Sequence, residues 1–301
     1  MSRLAVVVDS GAGFPKEWYE QHRILVAQHS VAFPGQEPLN DLEISPEEFY
    51  PRLRESSEHP KTANPNPAKF AKQYDVAFEN SADNVVVLTM MKNKSGAYNS
   101  AVAAAKNHKR ADDIIVFDSH TSGPTQAFMA LDVSHRFERH GISGIEQHIE
   151  QLSEQTRVYM VPEDIGFLAS SGRVQQAGEL ANLPLSVTAI ISIMNLKSPE
   201  GKKYDAIPIS KHRTQRQALD AVVERVKQDA AFFKSQGFGT MDLAVVHAGN
   251  QTAASNLESQ VRLAYGSDIA TGLFYSGFMT PVLGRQFGPG TVGVAMLYRK
   301  S

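Results

Sequence analysis

The sequence predicts an α/β protein of two domains, the first built on a parallel sheet and the second on a mixed one. Three observations lead there. A length of 301 residues exceeds the size at which a single hydrophobic core usually stops growing. Short β-branched runs alternate with helical segments through the first half, the pattern of a sheet buried on both faces. In the second half two strand-like segments lie side by side around a polar turn, which reads as an antiparallel hairpin.

The elements follow in order. Leu4 to Val8, Val85 to Thr89 and Ile114 to Phe117 are the apolar runs of buried strands. Helices are expected between them. Ser45-Pro46-Glu47-Glu48 is a capping box with proline at the first helical position, Asn66-Pro67 opens a second helix, and Ser143-Gly144-Ile145-Glu146 a third. Gly96 to Lys109 turns Val102 and its alanines towards a sheet, and Gly141 stops the helix that starts at Pro124. After the hairpin Ile190 to Asn195 and Tyr204 to Ile209, turning at Ser198 to Gly201, come helix Arg213 to Ser235, strand Leu243 to His247 and helix Gln251 to Tyr265. Strands near Ala270 to Tyr275 and Val292 to Tyr298 close the chain. The boundary is expected at Val161-Pro162, giving domains 1–161 and 162–301. With no flexible linker, the expectation is two closely apposed lobes with a ligand cleft between them.

Composition excludes several functions. Lys+Arg 30 against Asp+Glu 32 gives a formal net charge of -2, so no field gathers polyanions, and nucleic acid is not an expected partner. The absence of cysteine removes disulfides, thiolate metal sites and cysteine nucleophiles. Leu4 to Val8 stops at Asp9, short of a signal-peptide core, and the apolar stretch Leu183 to Leu196 is broken by Ser186, Thr188, Ser192 and Asn195. The cytoplasm is the expected compartment.

Open parallel sheets bind ligands beyond the carboxyl ends of their strands, which points to Asp9-Ser10-Gly11, Lys92 to Ser95 and Asp118-Ser119. Prolines on both sides of Lys61-Thr62-Ala63-Asn64 favour extended backbone and a fixed direction for Thr62. Ser95 stands at a helix start, where unpaired N–H groups and the dipole favour an anion; capping alone would explain it equally well. Gly284 to Gly293 contains a G-x-G-x-x-G pattern but precedes a strand and lacks the later acidic residue, so it reads as a rigid turn or a pocket wall, not a dinucleotide fingerprint.

Val8-Asp9-Ser10, Ile44 to Tyr50, Pro60-Lys61-Thr62, Ser95-Gly96-Ala97-Tyr98, Phe117-Asp118-Ser119, Gly172-Arg173-Val174 and Gly288-Pro289-Gly290 together resemble, in order and spacing, the DegV family of fatty-acid-binding proteins. The resemblance implies a DegV-like fold with a lipid tunnel at the domain junction. It implies one long-chain fatty acid whose carboxylate meets Thr62, Ser95, Gly96 and Gln286, with Asp9, Ser10, Ala63, Ser119 and Arg173 around it. It also implies a carrier, not an enzyme, with no catalytic residue, metal or cofactor. As partners it allows a dihydroxyacetone-kinase-like fatty acid kinase and transient contact with a membrane. Two departures stand out: Ala63 replaces a hydroxyl residue, and Gln286 replaces a histidine two positions ahead of Gly288. Glutamine can donate and accept hydrogen bonds but cannot become cationic.

Two other functions are open to the same residues. A hydrolase would recruit Ser10 or Ser119 with a histidine and an aspartate, although no G-x-S-x-G elbow is present and the ten histidines are scattered. Among them His247, at the end of a strand, stands nearest to such a role. A scaffold protein would leave the cleft without a ligand.

Overall fold

The computed structural model describes residues 3–56, 58–173, 188–198, 201–266 and 269–300. In chain order the elements are β1 (Leu4–Asp9), α1 (Lys16–Gln21), β2 (Leu25–Ala27), β3 (Ser30–Ala32), β4 (Leu39–Asn40), α2 (Pro46–Glu55), β5 (Lys61–Ala63), α3 (Pro67–Glu79), β6 (Asn84–Thr89), α4 (Ala97–Lys106), β7 (Ile114–Asp118), α5 (Pro124–His140) and α6 (Ile145–Glu154). There follow β8 (Thr156–Val161), α7 (Ile165–Ser171), β9 (Thr188–Ser198), β10 (Gly201–His212), α8 (Gln215–Ser235), β11 (Phe238–His247), α9 (Gln251–Tyr265), β12 (Ala270–Phe278), α10 (Pro281–Phe287) and β13 (Val292–Lys300). The chain divides into two compact units. The first comprises Met1–Ser45, Glu58–Glu154 and Thr280–Leu283, and the second Pro46–Ser57, Gln155–Met279 and Gly284–Ser301.

The first unit carries a four-stranded parallel sheet in the order β2-β1-β6-β7. Both faces of its central strands are covered, which explains their unbroken valine runs. Val7, Val85 and Val87 meet Phe70 and Tyr74 of α3 and Ala97, Ala101 and Ala104 of α4, where small side chains let the helix lie close. Val6, Val8, Val86 and Leu88 are buried on the opposite face. Asn66 caps α3 by accepting from the Lys69 amide, and Gly141 (φ 64°) ends α5 as expected. A smaller sheet, β4-β3-β5, is antiparallel and places Thr62 opposite Val31.

The second unit carries a six-stranded mixed sheet, β10-β9-β8-β13-β11-β12, in which only β11 and β12 run parallel. The expected hairpin is β9 and β10, longer at both ends than the apolar runs suggested; its turn residues Pro199 and Glu200 lie outside the described residues. Val222, Val226 and Phe233 of α8 and Leu257 and Val261 of α9 pack on Val161, Leu243, Val245, Val294 and Met296. Phe233 also stacks on Tyr298, with ring centroids 4.0 Å apart.

Two expectations about organisation differ from the structure. A boundary at Val161-Pro162 would give β8 to the first domain, but its backbone hydrogen bonds go to β13 and β9 in the second unit's sheet. A strand belongs where its N–H and C=O groups are paired. Residues 46–57 likewise group with the second unit, so neither unit is one continuous stretch. The glycine-rich segment is not a turn throughout: α10 runs into it as far as Phe287, which its turn-like composition concealed.

Gly284 in α10 shows why that segment needs glycine. A Cβ there would run into the buried ring of Tyr50, whose hydroxyl donates to the Met279 carbonyl at 2.8 Å and whose ring stacks on Phe278. Gly284→Ala should therefore destabilise the protein by about 1–3 kcal/mol through overpacking, read as a lower midpoint in denaturant with unchanged slope.

Candidate functional site

The loops that leave the carboxyl ends of β1, β6 and β7 are tied to one another. The Gly123 amide donates to the Gly11 carbonyl (2.8 Å), the Met91 amide to the Thr121 carbonyl (2.8 Å), and the Ser119 amide to the Thr89 carbonyl (3.0 Å). A parallel sheet leaves these ends without ladder partners, so the loops satisfy each other and form one polar rim.

On that rim the structure links the two segments expected to hold a carboxylate. Thr62 sits in β5, half-buried, on the extended backbone the flanking prolines impose. Two residues on, Asn64 accepts a hydrogen bond from the Ser95 hydroxyl, Oγ to Oδ1 2.9 Å. Ser95 Oγ in turn accepts from the Ala97 amide at 3.1 Å, in the first turn of α4. The N-cap position belongs to Gly96, which makes no side-chain cap, so Ser95 stands one residue earlier than a conventional cap. A Cβ at Gly96 would lie 2.8 Å from Asn64 Nδ2, so glycine there lets the Asn64 amide lie against the helix start. Asn64 is the residue that sequence reading passed over. Its hydrophilic type and exposed position look like ordinary loop, and only its pairing with Ser95 reveals it. Ala63 is exposed and carries no polar group into the site.

Asp9 and Ser10 are buried beneath the rim. Asp9 accepts from the Gly11 amide (2.9 Å), the Met90 amide (2.7 Å) and Gln126 Nε2 (3.3 Å). Burial nevertheless raises its pKa to about 6, the hydrogen bonds offsetting only part of the desolvation. Ser10 Oγ donates to Asp41 Oδ1 at 2.7 Å and accepts from the His29 amide at 2.8 Å, with His29 Nδ1 3.2 Å away. Asp41 is raised further, to about 7, by burial first and then by the neighbouring Asp9, against the Ser10 hydrogen bond. Ser10 is nonetheless fully buried, so its oxygen is closed to solvent and to an acyl substrate approaching from it.

The remaining expected residues are held by partners of their own. Ser119 is buried and donates to the Thr121 carbonyl at 3.2 Å, so it shapes its own turn. In the second unit Arg173 Nη1 donates to Gln286 Oε1 at 2.9 Å and to the Ser171 carbonyl at 3.1 Å. Burial lowers the Arg173 pKa from its ordinary value. Val174 lies outside the described residues. His247 is buried, packs its ring on Phe278 with centroids 4.4 Å apart, and accepts from the Gly249 amide at 3.3 Å. Burial lowers its pKa, as fits a structural imidazole. Among the described residues no group of three or more His, Asp or Glu side chains could hold a metal ion, and no helix is long and apolar enough to cross a membrane.

Similar proteins cover the same ground from end to end. Protein DegV of Bacillus subtilis is 28% identical over 98% of this chain and 99% of its own length. A protein of Thermotoga maritima named fatty acid-binding protein is 29% identical over 99% of each chain. Among solved structures, DegV of Bacillus subtilis, described as a fatty acid binding protein, superposes with a TM-score of 0.81 at 26% identity, covering 99% of this chain and 100% of that one. A DegV lipid binding protein of Thermotoga maritima gives a TM-score of 0.82 at 25% identity over 99% of both chains. The profile described as "Uncharacterised protein, DegV family" matches residues 3–299, and with the parallel first sheet and mixed second sheet in place the chain belongs to the DegV family.

Proposed function

We propose that this protein binds one long-chain fatty acid in an apolar tunnel and acts as a carrier, with the carboxylate received at the start of α4 by Ser95, Thr62 and first-turn amides. The observation that supports this most directly is the Ser95–Asn64 hydrogen bond, which joins the Thr62 segment to a helix N-terminus. Two relatives of full length are described as fatty acid binding proteins, which supports the ligand class.

The energetics are adequate. Burying an acyl chain gains about 0.8 kcal/mol per methylene, so a chain of about 16 carbons supplies on the order of 10 kcal/mol before the entropic cost of association. The carboxylate loses its water on entry, a cost that neutral donors recover without burying a second charge. A carboxylate arriving at Ser95 accepts the hydrogen bond that the hydroxyl now donates to Asn64 Oδ1, so little rearrangement is required. Gln286, which accepts a hydrogen bond from Arg173, stays neutral where a histidine could become charged. On this reading the protein performs no chemistry itself, and Ser10 and Ser119 remain structural. Presentation of the carboxylate to a dihydroxyacetone-kinase-like fatty acid kinase, transient membrane contact and a cytoplasmic location belong to the same proposal.

Native mass spectrometry tests it. The purified protein should carry a mass increment of one acyl chain, or acquire one on addition of palmitate or oleate. A protein that arrives ligand-free and ignores both acids would be a scaffold, and the carrier reading would be abandoned.

A further inference from the structure

We propose that the buried Asp9–Ser10–His29–Asp41 network positions the segments bearing Thr62 and Ser95 and makes their grip on an anionic head group depend on a proton held inside the fold. This rests on the reading that Thr62 and Ser95 receive the carboxylate. None of the four network residues needs to touch the ligand; they are positioning residues.

The network reaches both segments. On one side, Asp9 Oδ2 accepts from the Met90 amide at 2.7 Å, at the head of the loop that runs to Ser95. On the other, Asp41 adjoins Asn40, whose Oδ1 accepts from Lys69 Nζ; the same ammonium donates to the Gln28 carbonyl at 2.9 Å. Lys69 lies in the first turn of α3, directly after the Thr62-to-Asn66 stretch. Between the two sides stands Ser10, whose oxygen meets Asp41, the His29 amide and the His29 ring.

The network also has a place for a proton. Asp41 Oδ2 and Gln126 Oε1 are buried acceptors with no hydrogen-bond partner among the described residues. A carboxyl group in that position is better accommodated neutral than ionised. The charged groups facing it are few. Asp9 comes from β1, His29 Nδ1 lies 3.8 Å from Asp9 Oδ1, and half-buried Lys69 comes from α3 with exposed Glu43 beside it. Burial holds both carboxyls protonated above the ordinary carboxylate range, and the neighbouring Asp9 pushes Asp41 further. Ionising them puts two negative charges beneath the rim, which repel an incoming carboxylate and each other.

The affinity for palmitate, and for hexadecyl sulfonate, which stays ionised throughout, should be measured by displacement of a fluorescent probe at pH 6 and pH 8. Wild-type protein should bind both roughly three- to tenfold more weakly at pH 8, the direction set by two added negative charges beneath the rim. Asp41→Asn should lose most of that pH dependence while melting cooperatively. Ser10→Ala, which removes the hydrogen bond favouring ionised Asp41, should move the midpoint of the profile to higher pH. A flat wild-type profile for the sulfonate overturns the proposal, as does a folded Asp41→Asn protein that keeps the wild-type slope or an unmoved midpoint in Ser10→Ala. Failure of the head-group reading looks different: Thr62→Ala and Ser95→Ala would then bind as wild type at every pH.

Discussion

The stability advantage of Asp41→Asn over wild type should widen by about 3 kcal/mol between pH 5 and pH 8, measured by urea unfolding at each pH. In the folded chain Asp41 keeps its proton to about pH 7, because burial and Asp9 oppose ionisation. In the unfolded chain an aspartate releases it near pH 4. Between those values the native state binds more protons, so wild-type stability falls as pH rises through the window and levels off above it. Asparagine keeps the acceptor for the Ser10 hydroxyl but has no proton to lose, so the variant escapes this slope. Any fixed cost of its extra N–H groups cancels in the comparison between the two pH values. A constant difference between the proteins would show that Asp41 is ionised throughout. Asp9, raised to about 6, adds to the wild-type slope over the lower part of the same range.

Thr62→Ala and Ser95→Ala should each weaken fatty acid binding by about 1 to 3 kcal/mol, roughly five- to 150-fold, as measured by titration with palmitate. Both side chains are half-buried, and each would offer one hydroxyl donor to a carboxylate. The Ser95 variant should suffer more. It also loses the hydrogen bond to Asn64 and the acceptor for the Ala97 amide, which together hold the β5 loop to the start of α4. Asn64→Ala separates these roles, because it removes the tether and leaves the Ser95 hydroxyl in place. Wild-type affinity in both hydroxyl variants would reject the head-group assignment.

Much of the fold was legible because its strands are buried on both faces. Runs such as Leu4 to Val8 and Val85 to Thr89 are apolar throughout, and the helix between Asn66 and Glu79 announces its start by a cap and a proline. The short strands were not legible. β2, β3 and β5 have three residues each, too few for alternation to emerge, and they form through partners distant in sequence. At the site, Thr62 and Ser95 could be named because proline geometry and a helix start leave local marks. Their connection through Asn64 is a contact across 31 positions, and no local pattern records such a pairing. The Asp41 carboxyl was hidden for the opposite reason: an acidic residue in a polar stretch looks solvated, yet this one is completely buried.

The interleaving of the two units carries a consequence for biosynthesis. A nascent chain usually completes its leading domain while the ribosome is still decoding the next. Here the leading unit includes Thr280–Leu283, whose Leu283 side chain approaches Gly13 and Gly123, so its last piece emerges only after Gln155–Met279 of the trailing unit has been made. The trailing unit has held Pro46–Ser57 in waiting since early in synthesis. Neither can finish before the other is nearly made, so the two units mature together.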